Sequence, residues 1–519
     1  MQFSGKGIQP VSISSCERAF LMCRSSRRIG ISMMAAWFLI AVSALAVADE
    51  PLSNDRLISI GVAKVDVTPE GPIRMHGYAF RKEESTGVAQ RLWAKALALG
   101  TDDEKPAIMI TVDNCIVPAP VIDEVAERLN REAGIPRERL AVCATHTHAG
   151  PMLVGAAPFI FAEPMPPDHR ARVERYTERF IDCLERVALD ALVARRPGRL
   201  DWTQGTVSFA GNRRKIRNGK WIGMGFNPEG PVDHALPMLR VTDADGTLRA
   251  VLVNYACHAT DVRSYEIHGD WPGSAQVAIE AAHPGVIAMV SAGCGADANP
   301  EPFREDHVEE HGQAVADEVE RLLAGPMRPI RSLPECRMKR IDVPLGKLPG
   351  RAEWERQAAG NDRPAYYARA VLERMDRGVE PPASFSYLVE TWSFGDQLSI
   401  VFLPGEVVVD YALRLKRELG DDLWVTAYAN DVPCYIASRR VIAEGGYEVT
   451  GAMPSYDKPA ALAPEAEDLI VATVHELLPE QAKSQRNRSG GREGDRSMFS
   501  AIRLVFVSVC FRMLTDISN

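Results

Sequence analysis

Between Leu57 and Leu478 the chain alternates short apolar runs with longer amphipathic stretches. Ser59–Val67 and Pro106–Val112 are strand-like, and the second runs into Asp113. Val121, Val125 and Leu129 recur every fourth position, which predicts a helix over Val121–Glu132. Leu140–Ala144 reads as another strand. Arg170–Ala194 reads as a long helix with Tyr176, Phe180, Leu184 and Val187 on one stripe. Ala250–Ala256, Gly285–Ser291 and Leu398–Leu403 are apolar and short enough to be buried strands. This alternation predicts an α/β fold, a mixed and largely buried sheet with flanking helices, in a single large domain over residues 49–480. Residues 346–385, rich in Pro, Arg and Glu with helical stretches near Trp354 and Tyr366, read as an insertion on that core.

The two ends follow other rules. Arg24, Arg27 and Arg28 precede an apolar run, Ile29–Ala48, which closes on Ala46-Val47-Ala48. Residues 1–48 therefore read as a signal peptide of an exported protein, secreted or periplasmic; left uncleaved, the run is long enough for an N-terminal membrane anchor. Met22 and Met33 are alternative starts. Residues 481–519 read as a disordered polar linker followed by a short apolar tail, Leu504–Phe511, which is too short to span a bilayer as a helix.

Composition narrows the function. At 46% hydrophobic and 25% charged residues the chain is of ordinary globular type. Its net charge of -9 argues against a nucleic-acid binder. The ten cysteines include no CxxC, so neither a zinc ribbon nor a redox motif is expected, and most should be buried as small apolar residues.

Chemistry concentrates after the apolar strands. In Thr145-His146-Thr147-His148-Ala149-Gly150-Pro151, residues i and i+2 of an extended chain project to one side. His146 and His148 then reach one metal, or a metal and its bound substrate. His258 follows the strand ending at Ala256, and Glu406 follows Leu403-Pro404-Gly405. Each alone also fits a structural role. A competing zinc pattern is His307-Val308-Glu309-Glu310-His311, an H-x-x-E-H set in a strongly charged helical stretch. No G-x-S-x-G elbow, phosphate loop or dinucleotide fingerprint occurs.

Taken in order, these segments resemble the catalytic region of the neutral/alkaline non-lysosomal ceramidases, zinc amidases of N-acylated sphingoid lipids. The likeness runs from about Ile58 to Leu478. It opens with Gly61-Val62-Ala63-Lys64-Val65-Asp66-Val67-Thr68-Pro69 and Met75-His76-Gly77-Tyr78, and its most specific motif is Thr145–Pro151. The resemblance implies that His146, His258 and Glu406 bind Zn²⁺ with Tyr435 as a further phenolic ligand. It implies that His148, Tyr447 and Asn299 serve catalysis, and that Arg213 and Asp297 meet the substrate's polar head or support the ligands. The reaction it implies is hydrolysis of the N-acyl amide of ceramide or a related amine by zinc-activated water, on a lipid or small-molecule substrate with peripheral membrane contact.

Two departures bear on substrate. Asn299, in Ala296-Asp297-Ala298-Asn299-Pro300, stands where the family has Ser, and an amide is no nucleophile. No segment here is expected to form the family's C-terminal immunoglobulin-like domain. A metallohydrolase of peptides or esters, or a binding protein retaining the fold, are the alternatives. Leu153, Val154, Phe159, Ile160 and Phe161 either meet an acyl chain or pack in the core.

Overall fold

The structure, a computed structural model, describes residues 57–303 and 305–480. The signal-like segment, the linker and tail, and Cys16, Cys23 and Cys510 lie outside the described residues. Nine strands form a central sheet: Ile58–Asp66 (β1), Trp93–Leu99 (β2), Ala107–Val112 (β3), Leu140–Ala144 (β4), Arg196–Thr206 (β5), Ala235–Asp243 (β6), Leu248–Tyr255 (β7), Ile287–Ala292 (β8) and Arg328–Ile330 (β9). Their order is β8-β7-β6-β5-β1-β2-β3-β4, with β9 against β5. The middle is antiparallel, but the pairs at both ends, β3–β4 and β7–β8, are parallel. A parallel pair needs a crossover. Of the helices Ala119–Ala133 (α1), Pro167–Val193 (α2) and Asp270–Ala282 (α3), α1 and α3 supply the two crossovers.

A second sheet holds Glu335–Pro344 (β10), Ser384–Phe394 (β11), Leu398–Phe402 (β12) and Leu423–Thr426 (β13), in chain order. Strand alternation divides the core. Met109, Trp202 and Leu252 of the central sheet meet Trp392, Phe402 and Trp424 of the second. The opposite face presents Ile110 and Val142 to α1 and α2, and Val253 and Val290 to α3. The expected stripes hold: Val121, Val125 and Leu129 of α1 are buried, as are Tyr176, Phe180, Leu184 and Val187 of α2. The insertion after β10 is a helix pair, Arg351–Ala358 and Arg363–Asp376, with its own small core of Trp354, Tyr367 and Val371. All seven described cysteines are free, five of them buried. Among the described residues no helix is long and apolar enough to cross a membrane.

The chain leaving β13 closes the open edges of the central sheet. Ala429 bridges Cys143 of β4, and Thr426 bridges Gly293 just past β8. The Ala144 amide donates to the Tyr428 carbonyl, Ala427 to Ala292, and Asn430 to Val142. One segment thus draws together strand ends that lie at opposite margins of the sheet.

Gly61 of β1 is pressed against the end of α2. A Cβ there would sit 1.8 Å from the Ala191 carbonyl oxygen, a backbone atom that cannot swing away. Gly61→Ala is expected to destabilise the fold by about 1–3 kcal/mol or more, read as a lower urea midpoint at unchanged slope.

Candidate active site

His146, His258 and Glu406 arrive from the ends of β4, β7 and β12. Glu406 opens a short strand, Glu406–Val407, paired in parallel with Tyr435–Ile436, so that Glu406 stands opposite Tyr435. Gly405 before it has φ 91°, and a Cβ there would lie 2.8 Å from the Cys434 carbonyl oxygen, so the position requires glycine. The Nε2 atom of His258 is 3.1 Å from Oε2 of Glu406, and that of His146 is 3.5 Å from the same oxygen. All three residues are buried, and their ligand atoms lie within 4.8 Å of one another.

The protons are accounted for by the outer contacts. His146 donates Nδ1–H to the Cys115 carbonyl at 2.8 Å, and His258 donates Nδ1–H to the Gly295 carbonyl at 2.9 Å. A carbonyl oxygen only accepts, so each neutral ring turns an Nε2 lone pair toward Glu406. Tyr456 donates its hydroxyl to Oε1 of Glu406, leaving Oε2 to face the imidazoles. Three buried acceptors aimed at one point repel unless a proton or a cation lies among them. Burial, with the Arg213 guanidinium, pushes His258 down to about 3 and keeps it neutral. Burial lowers His146 too, but Cys115 and Glu406 outweigh it and raise the ring above the ordinary histidine range. Burial would raise Glu406, yet His146 and His258 hold it well below the usual carboxylate range. Without a cation, therefore, a charged His146 and a charged Glu406 favour each other across 3.5 Å. Two imidazole nitrogens and a carboxylate oxygen suit zinc.

The paired histidines converge for a different reason from the one the sequence offers. Strand alternation predicts both rings on one side of an extended chain, but β4 ends at Ala144 and His146 takes a left-handed φ of 61°. The chain kinks, and the rings meet edge to face with Nε2 atoms 3.1 Å apart. The kink is held from outside. Arg81, fully buried, donates to the carbonyls of His76, Ser264 and His148, and Thr147 donates its hydroxyl to the His268 carbonyl. Tyr428 stacks on His146 with ring centroids 4.1 Å apart.

Most of the remaining expected residues gather around this centre. The Tyr435 hydroxyl is 3.5 Å from Nε2 of His258 and accepts a hydrogen bond from Arg213 at 3.1 Å. The Tyr447 ring packs on Tyr435, with centroids 5.5 Å apart. Arg213 also donates to Oδ1 of Asn299 at 3.2 Å. Asp297, expected either to meet the substrate's polar head or to support the ligands, is held by backbone and side-chain donors. It is fully buried, and its carboxylate accepts from the Val409 amide at 2.9 Å and from Asn212 at 3.3 Å, which makes it a brace for the residue next to Arg213. Burial raises its carboxyl to about 6. The H-x-x-E-H alternative does not assemble: Glu310 is bonded to His307 at 2.7 Å, while buried His311 pairs with Asp261 at 2.7 Å. Neither histidine joins a metal-holding group among the described residues. Of the apolar run, Leu153, Ile160 and Phe161 are core, and Phe159 packs on Tyr367 of the insertion. Sequence reasoning missed Arg81, Tyr428, Glu448 and Tyr456. None sits in a repeating pattern, and Glu448 was marked only by standing next to Tyr447.

Residues 58–307 match the family model of neutral/alkaline non-lysosomal ceramidase, N-terminal. That match takes in 250 of the chain's 519 residues. A neutral ceramidase of Oryza sativa subsp. japonica is 28% identical over 138 residues, which cover 26% of this chain and 17% of that protein. A neutral ceramidase of Pseudomonas aeruginosa is 24% identical over 249 residues, covering 46% and 34%. The matched stretches thus span only about a third or less of these relatives' own length. Among solved structures, a ceramidase complexed with C2 superposes with a TM-score of 0.63 at 17% identity, covering 84% of this chain and 76% of that one. The neutral ceramidase from Pseudomonas aeruginosa gives 0.63 at 19%, covering 84% and 75%. At those identities the likeness is one of fold: the mixed sheet with flanking helices is that of the ceramidases.

Within this ceramidase-like fold, Arg213 is fixed by a buried ion network. Its Nε donates to Glu448 at 3.1 Å, and Glu448 also accepts from Arg214, which reaches Glu444 at 3.0 Å. Removing Glu448 leaves a buried guanidinium without its counter-ion. Glu448→Ala is expected to destabilise the protein by about 3–5 kcal/mol in urea unfolding.

Proposed function

We propose that the chain is a zinc-dependent amidohydrolase that cleaves the N-acyl amide bond of ceramide or a related N-acylated amine. The observation that carries this reading is the convergence of lone pairs at His146 Nε2, His258 Nε2 and Glu406 Oε2, in a domain matched to the ceramidase family. His146, His258 and Glu406 would hold the metal, with the Tyr435 hydroxyl beside them. Zinc bound there supplies Lewis acidity, polarising a carbonyl and bringing the pKa of water from ~16 toward ~7.

The protein groups then divide the remaining work. Burial lowers the His148 pKa and keeps the ring neutral near pH 7, so it takes a proton from the attacking water and returns it to the leaving amine. Tyr447 offers a hydroxyl to the oxyanion that develops on the amide. Arg213, steadied by Glu448, orients the substrate's polar head together with Asn299. Asn299 has no nucleophilic atom, which leaves water as the attacking group at that position.

Purified protein is expected to carry one zinc per chain by elemental analysis, and His146→Ala to lose both the zinc and the activity. Activity is read as free amine released from ceramide and other N-acyl amines, with peptides and esters as competitors. Full turnover by metal-free protein, or turnover of peptides or esters alone, would sink the reading. His148→Ala is expected to keep its zinc while kcat falls by about 10²–10⁴.

A further inference from the structure

A β-hairpin rises directly from the substrate-facing arginine. Its strands are Arg214–Arg217 and Lys220–Met224, turned at Asn218-Gly219. Three of its residues are fastened to the site. Arg214 is bonded to Glu448 and Glu444, and the Lys220 ammonium donates to the Ala443 carbonyl at 2.8 Å. The Trp221 ring lies on Gly446, where a Cβ would come within 2.4 Å of the indole.

Other residues of the hairpin are open to solvent. Ile222, Met224 and Phe226, at alternate positions, are 50%, 46% and 48% exposed. Single exposed apolar residues are common on any surface, whereas three in register on one ribbon form a patch. Lys215, Arg217 and Lys220 of the same hairpin are exposed too. From Arg213 to Pro228 the chain holds Arg213, Arg214, Lys215, Arg217 and Lys220 and no Asp or Glu, in a protein whose net charge is -9. Glu448 and Glu444 answer the first two cations. Lys215 and Arg217 make no ion pair among the described residues.

We propose that this hairpin docks the protein on an anionic lipid bilayer, with Ile222 and Met224 entering the interface and Lys215 and Arg217 meeting the lipid phosphates. Apolar side chains interleaved with unanswered cations match a surface that is greasy beneath and negative above. A soluble anion would use only the cations. The base of the hairpin continues into Arg213, so docking would set the site beside the bilayer. The inference deepens the lipid-amide reading and rests on it for where the substrate resides.

The test is co-sedimentation of the full chain with vesicles of phosphatidylcholine alone and of phosphatidylcholine mixed with phosphatidylglycerol. Binding is scored without turnover, so a failure of the hydrolase reading is seen separately. The wild type is expected to sediment with the anionic vesicles and far less with the neutral ones. K215E/R217E, on exposed positions, is expected to weaken that binding by about tenfold or more. I222S/M224S is expected to weaken it as well. Both variants should keep the wild-type circular dichroism and thermal midpoint, and their turnover of a water-soluble short-chain N-acyl amine. Absence of binding to anionic vesicles, equal binding to both vesicle types, or folded variants that bind like the wild type would overturn the proposal.

Discussion

Lone pairs of two imidazoles and one carboxylate, buried and aimed at a common point, are the constraint around which this molecule is organised. Such an arrangement is unfavourable without a cation, so the surroundings must hold it against its own repulsion. The Cys115 and Gly295 carbonyls lock the ring tautomers, and Tyr456 takes up the outer oxygen of Glu406. Outer contacts of this kind orient ligands and tune their basicity as much as the ligands themselves do.

The fold delivers these groups by closing two margins of one sheet. A mixed sheet with parallel pairs at both ends has two places where loops leave carboxyl ends of strands, and the strand before His146 lies at one and the strand before His258 at the other. Those margins would be far apart in a flat sheet. The segment following β13 hydrogen-bonds to β4 on one side and to the end of β8 on the other, which turns separate loops into one site. Glu406 needs no separate mechanism, because the same closure places the Pro-Gly turn after β12 against Tyr428.

Charge then ties the centre to the surface. Arg213 touches Tyr435 and Asn299 within the site and shares Glu448 with Arg214, the first residue of the hairpin. Buried ion pairs contribute little net stability but hold geometry once formed, since breaking one strands its partner. The network therefore fixes the orientation of Arg213 and the attachment of the basic ribbon at once.

Much of this was legible along the chain. Burial imposes a period on local sequence, so the strands at Leu140–Ala144 and Leu398–Phe402 and the stripes of α1 and α2 could be read without coordinates. So could His146, His148, His258 and Glu406, each standing where an apolar run stops and polar chemistry begins. The left-handed kink at His146, the brace formed by Arg81, the hydroxyl of Tyr456 and the bond from the Val409 amide to Asp297 could not be read. These depend on groups such as His258 and Glu406, 148 residues apart, or Arg213 and Glu448, 235 apart. Sequence alone determined which residue types sit at strand ends, because hydrophobic periodicity is a local property. Tertiary structure decided which of them meet and where each proton resides, because both follow from distances that only packing sets.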